Sequence, residues 1–530
     1  MENGTELNSM DKSRQNNTQR MLLWLGFLLG FLWPLYRLIN STGWILDDEI
    51  SHFLFSKAVI DWPEILLDGW ARPGRNLIHS LIAPFGLTAT RIYTLALSTL
   101  AVIICYRVAL RLKIRHAWSI PFLLCFQPWY PELSYPVLTQ APFMLVWILA
   151  VYLALTNRMH LAAFTFGYLS LIRHEGIFIT ALWGLWVICQ PGGIIYDLVH
   201  RNKFSKLKKT LTHNLLLGFS TILPILILNL GAYFIQERIP FAVYFDRNPT
   251  DIYGNGSLLH YVPMLRSSVG AITLTLSIIG LYLICRNKLK NWSLILLSYP
   301  AYFILHSVIF WKGSFASGGY YHFLMPMAPL FALLAALTIS KILNSDFKQG
   351  RYVKPARYLT GVIIAIICYQ GLHMESYQHS NQDWSSIMAG KARVQKSLFA
   401  PVDTNSSITK HIREATQLAK SDSEPNKTTF THCAHVFFYY LTDQPDTLAL
   451  RDERLAPLSS FPIGSHYIWD SHYADLEPRT SRVELEKNSN WGSVRTWPDT
   501  DNEPSVILFR KVNNSPYSEN LTPKGKNLSY

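Results

Sequence analysis

"WILDDEISHFLFSK", residues 44–57, follows a long apolar run and carries three consecutive acids, Asp47, Asp48 and Glu49. Carboxylates at the mouth of a membrane segment are either a solvated collar or a site. Which of the two applies depends on the side of the membrane they reach and on the polar groups that meet them there.

The chain has 530 residues, of which 49% are hydrophobic and 16% charged; an ordinary soluble domain carries about 25% charged residues. The deficit is local. Apolar runs of helical length fill roughly the first 370 residues, and the rest has a soluble composition. The formal net charge is +13, but the cations cluster in short gaps between apolar runs, as the positive-inside bias produces. That pattern argues against nucleic acid as a partner. Five cysteines, Cys105, Cys125, Cys189, Cys285 and Cys368, lie in apolar runs, and Cys433 is alone in the tail. They show neither a disulfide framework nor metal-ligand spacing, and read as small apolar fillers.

Residues 1–20 are polar and aperiodic, and are expected to form a disordered cytoplasmic N-terminus. Lys12, Arg14 and Arg20 precede the first helix, about 21–39, which reads as a retained anchor. The acids then emerge on the far side, in a loop with amphipathic interfacial pieces such as "NLIHSLIAPF". Further helices are expected at about 88–110, 117–130, 138–156, 160–172, 176–190, 213–234, 263–285, 292–310, 322–340 and 358–373. Basic loops such as "YDLVHRNKFSKLKK" and "RNKLKN" then all fall inside. The expectation is a mainly α, polytopic bundle of about eleven helices, N-terminus in and C-terminus out. The membrane domain covers 21–374 and an extracytoplasmic α/β domain 375–530, with a helix over "SITKHIREATQLAK" and strands over "GSHYIWD" and "SVILFRKV". The short runs flanking "RHEG" reach only about 20 Å of a ~30 Å core, which draws that group into the outer half of the bilayer.

On this threading the polar candidates collect on the outer face. They are Asp47, Asp48 and Glu49; His52; Arg72 and Arg75 in "WARPGR"; Glu132; Arg173, His174 and Glu175; Asp246 and Asp251; Lys312; and Tyr320, Tyr321 and His322. A carboxylate can act as general base toward a hydroxyl or amine. Guanidinium groups hold phosphate by paired hydrogen bonds and stabilise its departing charge. A membrane cleft admits a lipid tail. The set suits transfer of a group from a lipid phosphate to an acceptor outside the cytoplasm. Blander roles compete: Arg72 and Arg75 could snorkel to headgroups, Arg173 and Glu175 could tie two helix ends together, and Glu132 could be a solvated loop acid or help hold a divalent metal.

"LDDEISHFLFSK", "WARPGR", "IRHEG" and "GGYYHFLMPMAPLFALLAAL", in this order, resemble the integral-membrane glycosyltransferases of the GT-C superfamily. Protein O-mannosyltransferases and the lipid A aminoarabinose transferase are members. The resemblance covers the membrane part. It implies a polyprenyl-phosphate sugar donor and a glycan, lipid or protein acceptor. It also implies that Asp48-Glu49 is the acidic pair of the first outer loop, with Asp48 as base. Many relatives carry an Arg just before the late Pro-containing helix. Here Tyr321 and His322 stand there, so the donor phosphate is expected to meet His322 or Lys312 besides Arg72, Arg75 and Arg173. The absence of a nucleotide-binding loop agrees with a lipid-linked donor. The location implied is a bacterial inner membrane rather than the endoplasmic reticulum. Two other classes compete: a transporter or flippase of lipid-linked glycans, which predicts repeats and broken helices with mid-membrane charges, and a scaffold displaying the tail, for which the acids are dispensable.

Overall fold

A computed structural model describes residues 3–41, 47–67, 71–200, 204–237, 239–240, 255–314, 319–344, 353–373, 407–422, 430–432, 458–471, 481–498 and 504–513. Asp246, Asp251 and Cys433 lie outside the described residues, as does the side chain of Asp47. By its contacts the chain divides into two compact units, Met1–Ser41 with Val59–Val402, and Thr42–Ala58 with Asp403–Tyr530.

The helices, in chain order, begin with α1 (Asn3–Ile39), α2 (Asp47–Ala58), α3 (Pro73–Ser80), α4 (Leu87–Arg111), α5 (Ile120–Cys125) and α6 (Tyr130–Leu133). Next come α7 (Gln140–Leu155), α8 (Met159–Ile172), α9 (Gly176–Cys189), α10 (Ile194–His200) and α11 (Phe204–Gln236). The membrane part closes with α12 (Tyr261–Val269), α13 (Ala271–Asn287), α14 (Ser293–Lys312), α15 (Ala328–Asn344) and α16 (Val353–His373). The terminal part holds α17 (Ser407–Ser421) and α18 (Arg482–Lys487). Among the described residues six helical stretches are long and apolar enough to cross a membrane, seven if the bent pair α12–α13 is one span. Three shorter apolar helices, Gln140–Leu155, Met159–Ile172 and Tyr358–Leu372, accompany them.

Several sequence expectations change. The helix expected at 263–285 is bent by 112° between α12 and α13, and that expected at 322–340 opens as a 3-10 stretch, Tyr321–Met327. Residues 3–20 are helical, continuous with the first membrane segment. Once the apolar half has nucleated a helix, each added residue gains a hydrogen bond, and no Pro interrupts the extension. The expected helix at 117–130 is instead a 3-10 turn (Ala117–Ser119) followed by α5 and α6. Pro121, Pro128, Pro131 and Pro136 remove backbone donors and disfavour helical geometry in the residues before them. This broken backbone packs along α4. Ser98 Oγ, in the middle of α4, donates to Ser134 O at 2.7 Å. The stretch is almost wholly buried, the setting in which non-helical backbone is tolerated at membrane depth.

Small residues let the other helices approach. A Cβ at Gly167 on α8 would overlap the Thr221 carbonyl of α11, and one at Gly280 on α13 would overlap that of Leu334 on α15. Hydroxyls bridge the latter pair: Ser277 Oγ donates to Phe331 O at 2.9 Å and Thr338 Oγ1 to Leu276 O at 2.7 Å. In an apolar solvent such close contacts and interhelical hydrogen bonds hold a bundle together. Short α3 is pinned to α8 by Tyr168 Oη, which donates to Gly74 O at 2.8 Å.

In the second unit, β1 (Phe430–His432), β2 (His466–Asp470), β3 (Trp491–Pro498) and β4 (Pro504–Lys511) form one sheet in the order β1-β2-β4-β3. β1 and β2 run parallel; the other pairs are antiparallel. β4 is central and buries Val506, Ile507, Leu508 and Phe509 in succession, on both faces. α17 buries Ile412, Ala415, Thr416 and Ala419, an i, i+3, i+4, i+7 stripe, and packs on β4 and β2. These elements coincide with the helix and the two strands read from the sequence. α2, read there as part of the 21–374 membrane domain, groups with this unit.

Candidate active site

The break between α8 and α9 builds the polar centre of the first unit. Arg173 leaves helical geometry for an extended one (φ −148°, ψ 142°), and Glu175 returns to it at φ −63°. The kink turns both side chains to the same side. Arg173 Nη2 donates to Glu175 Oε1 at 2.6 Å and Nε to Oε2 at 3.2 Å. Nη1 donates to Thr139 Oγ1 at 2.7 Å, and the guanidinium carbon stands 4.8 Å from the centroid of the Phe323 ring. Both ends of the pair are buried. His174 Nε2 lies 3.8 Å from Glu175 Oε2 and His306 Nε2 3.6 Å from Oε1.

The charges around this break are one-sided. Burial acts to raise the Glu175 carboxyl, but the Arg173 guanidinium, doubly hydrogen-bonded to it, outweighs burial and holds the group well below its ordinary range. Burial pulls the His174 imidazole down to about 3; Glu175 opposes this, while Arg72 and Arg173 add to it. The anion is therefore fixed and its flanking imidazole neutral near pH 7. Of the alternatives left open by the sequence, the geometry is that of an internal ion pair joining two helix ends.

The late segment "GGYYHF" packs against the same break. Residues Tyr321–Met327 form a 3-10 stretch ahead of α15. Phe323 lies under Arg173, and its carbonyl accepts from Tyr302 Oη at 2.9 Å. His322 is buried, stacked on Tyr320 with ring centroids 5.3 Å apart. Tyr321 Oη donates to Glu132 Oε2 at 3.1 Å. Glu132 is 2% exposed, so it is not the solvated loop acid considered from the sequence. The prolines that break 117–136 fold this acid inward.

The remaining candidates separate by access. Arg75 is 0% exposed; it donates to Ala71 O at 3.4 Å and to Asn76 Oδ1. It does not snorkel. Arg72 is half-buried and sits in the left-handed region (φ 60°, ψ 67°) as the residue before α3, a geometry that costs a non-glycine about 1–3 kcal/mol and concentrates at functional sites. Lys312 is exposed at the end of α14, with Nζ 4.2 Å from the centroid of the Trp311 ring. In the second unit, α2 carries Asp48 exposed on its first turn and Glu49 fully buried. Among the described residues no group of three or more His, Cys, Asp and Glu side chains is placed to hold a metal ion.

Sequence reasoning passed over His306 and Thr139. His306 had a signal, an ionisable side chain within the apolar run "SLILLSYPAYFILHSVIFWK", which by itself suggests function in a membrane helix. Thr139 had none, since only the fold brings it to Arg173.

The first unit is a bundle of apolar helices with a polar centre at a helix break, and the second holds a small sheet. Among solved structures the chain is similar to ArnT from Cupriavidus metallidurans, crystallised bound to undecaprenyl phosphate. The TM-score is 0.54 at 11% sequence identity, over 92% of this chain and 97% of that one. Comparison with protein-family models and with curated protein sequences finds no match.

Proposed function

We propose that the protein is a glycosyltransferase that moves a sugar from a polyprenyl-phosphate donor to an acceptor on the extracytoplasmic face of a bacterial inner membrane. The observation that carries this is the fold likeness over nearly the whole of both chains to a protein whose structure holds undecaprenyl phosphate. In the reaction an acceptor oxygen or nitrogen attacks the anomeric carbon. The bond from that carbon to the phosphate oxygen breaks, its electron pair leaving with the polyprenyl phosphate. Asp48 takes the proton from the nucleophile, and a single displacement inverts the anomeric carbon. Asp48 suits this role because its side chain is exposed, whereas that of Glu49 is buried and suits a supporting one; the sequence order that points to this pair points to Asp47 only as its neighbour.

The departing phosphate needs cations. Arg75 and Arg173 are buried, whereas Arg72 is half-buried and Lys312 exposed, so by access Arg72 and Lys312 are the better donor-phosphate contacts; His322 is a further candidate as the residue standing where relatives place an arginine.

The test uses the full chain in lipid nanodiscs with undecaprenyl-phosphate hexoses and a membrane extract as acceptor source, following release of undecaprenyl phosphate. Asp48→Asn should lower release by about 10²–10⁴-fold, the usual worth of general-base help, while donor binding persists. A flippase, the alternative that the bend of 112° between α12 and α13 keeps in view, would move the lipid without breaking the bond. Lipid movement with no release in the unaltered protein would replace the transferase reading.

A further inference from the structure

His306 is 1% exposed, and among the described residues neither ring nitrogen has a hydrogen-bond partner. It is six residues before the end of α14, about 9 Å along the helix axis. Buried polar atoms are nearly always paired, and one left unpaired costs about 1–3 kcal/mol. The imidazole is held in place rather than loose: it meets the Tyr302 ring edge-on with centroids 4.5 Å apart and stacks on Phe323 at 5.7 Å. Glu175 Oε1 stands 3.6 Å from its Nε2, beyond hydrogen-bond reach, and a hydroxyl set to one side of the two atoms can reach both. Gln140 Oε1 is also buried with no partner among the described residues, one residue after the Thr139 that accepts from Arg173.

From this we infer that His306 and Glu175 bind a hydroxyl group of the transferred sugar. The inference rests on the lipid-linked donor reading and deepens it by naming where the sugar is gripped. A neutral imidazole offers one donor and one acceptor, and Glu175 offers only acceptors. A hydroxyl, which both donates and accepts, satisfies the two together. A phosphate does not, because it would face the fixed Glu175 carboxylate. His306 is thus a specificity residue that the ligand-free protein keeps at a cost in stability.

The experiment has two arms on the full chain in nanodiscs. Thermal unfolding without ligand compares the unaltered protein with His306→Leu and His306→Gln. His306→Leu should raise the midpoint, because it removes an unsatisfied buried polar group; a lowered midpoint in both variants would mark a structural histidine and overturn the inference. The second arm measures binding of undecaprenyl phosphate and of undecaprenyl phosphate bearing glucose, galactose or mannose. At least one sugar should tighten binding about tenfold. His306→Leu should abolish that increment, His306→Gln should keep part of it, and affinity for undecaprenyl phosphate should stay unchanged in both. An increment that survives His306→Leu, or an equal loss for bare undecaprenyl phosphate, overturns the sugar contact, as does an ordered water only, seen as no increment for any sugar. If the unaltered protein fails to bind undecaprenyl phosphate, the donor reading falls, and the sugar contact with it.

Discussion

Arg173 and Glu175 are two residues apart and face each other as a closed fork, with contacts of 2.6 and 3.2 Å. Residues so spaced on a regular helix point to different sides. They meet here because the chain breaks between α8 and α9 and Arg173 is extended. The pair fastens two membrane helices at their shared end and, through Thr139, the start of α7.

Breaking this pair should cost more than deleting it. Glu175→Ala leaves a buried guanidinium without its counter-charge, a loss of about 3–5 kcal/mol. Replacing Arg173 and Glu175 together by Leu and Met should recover part of that. A double-mutant cycle on unfolding in detergent measures the coupling; additive losses would show that the fork contributes nothing of its own.

The same pair sets a pH dependence. The Glu175 carboxyl is held below its ordinary value of 4.5 in the folded protein. Its contribution to stability is therefore present above about pH 4.5 and lost as pH falls through the lower folded value. Unfolding midpoints should be insensitive to this group between pH 5 and 8 and should drop in acid. The acid-side drop should shrink in Glu175→Gln.

Gly167 should tolerate no side chain. Gly167→Ala would drive a Cβ into the Thr221 carbonyl and push α8 from α11. Overpacking of this kind costs about 1–3 kcal/mol. Folded yield in membranes should fall, whereas Gly218→Ala on α11, where a Cβ meets open space, should be neutral or favourable.

The cations should separate by access. Arg72→Gln and Lys312→Gln should weaken undecaprenyl phosphate binding at unchanged unfolding midpoint. Arg75→Gln should lower the midpoint, because that side chain is fully buried. Direct binding assays beside melting curves decide between the two patterns.

The orientation expected from the basic loops is open to a labelling test. With the native cysteines replaced, a cysteine at Lys487 should react with an impermeant thiol reagent in intact cells, and one at Lys208 should not. The reverse pattern would place the terminal domain inside and remove the extracytoplasmic reaction.

What the sequence determined by itself is the mainly helical, apolar character of the first part of the chain, because runs of apolar residues are a local signal; of the eleven helices expected, six or seven stretches among the described residues are long and apolar enough to cross a membrane. The same holds for α17, whose stripe at Ile412, Ala415, Thr416 and Ala419 is visible in one dimension. The break at 117–130 is also local in cause: Pro121, Pro128 and Pro131 interrupt a run whose hydropathy is that of a membrane helix. Tertiary structure alone decided which polar groups meet. Glu132 lies beside Tyr321 and His306 beside Glu175 because the chain returns to the same break after more than a hundred residues. Whether a charge is a solvated collar, an ion pair or a binding group depends on its burial and partners, and neither is encoded within a few residues of the charge itself.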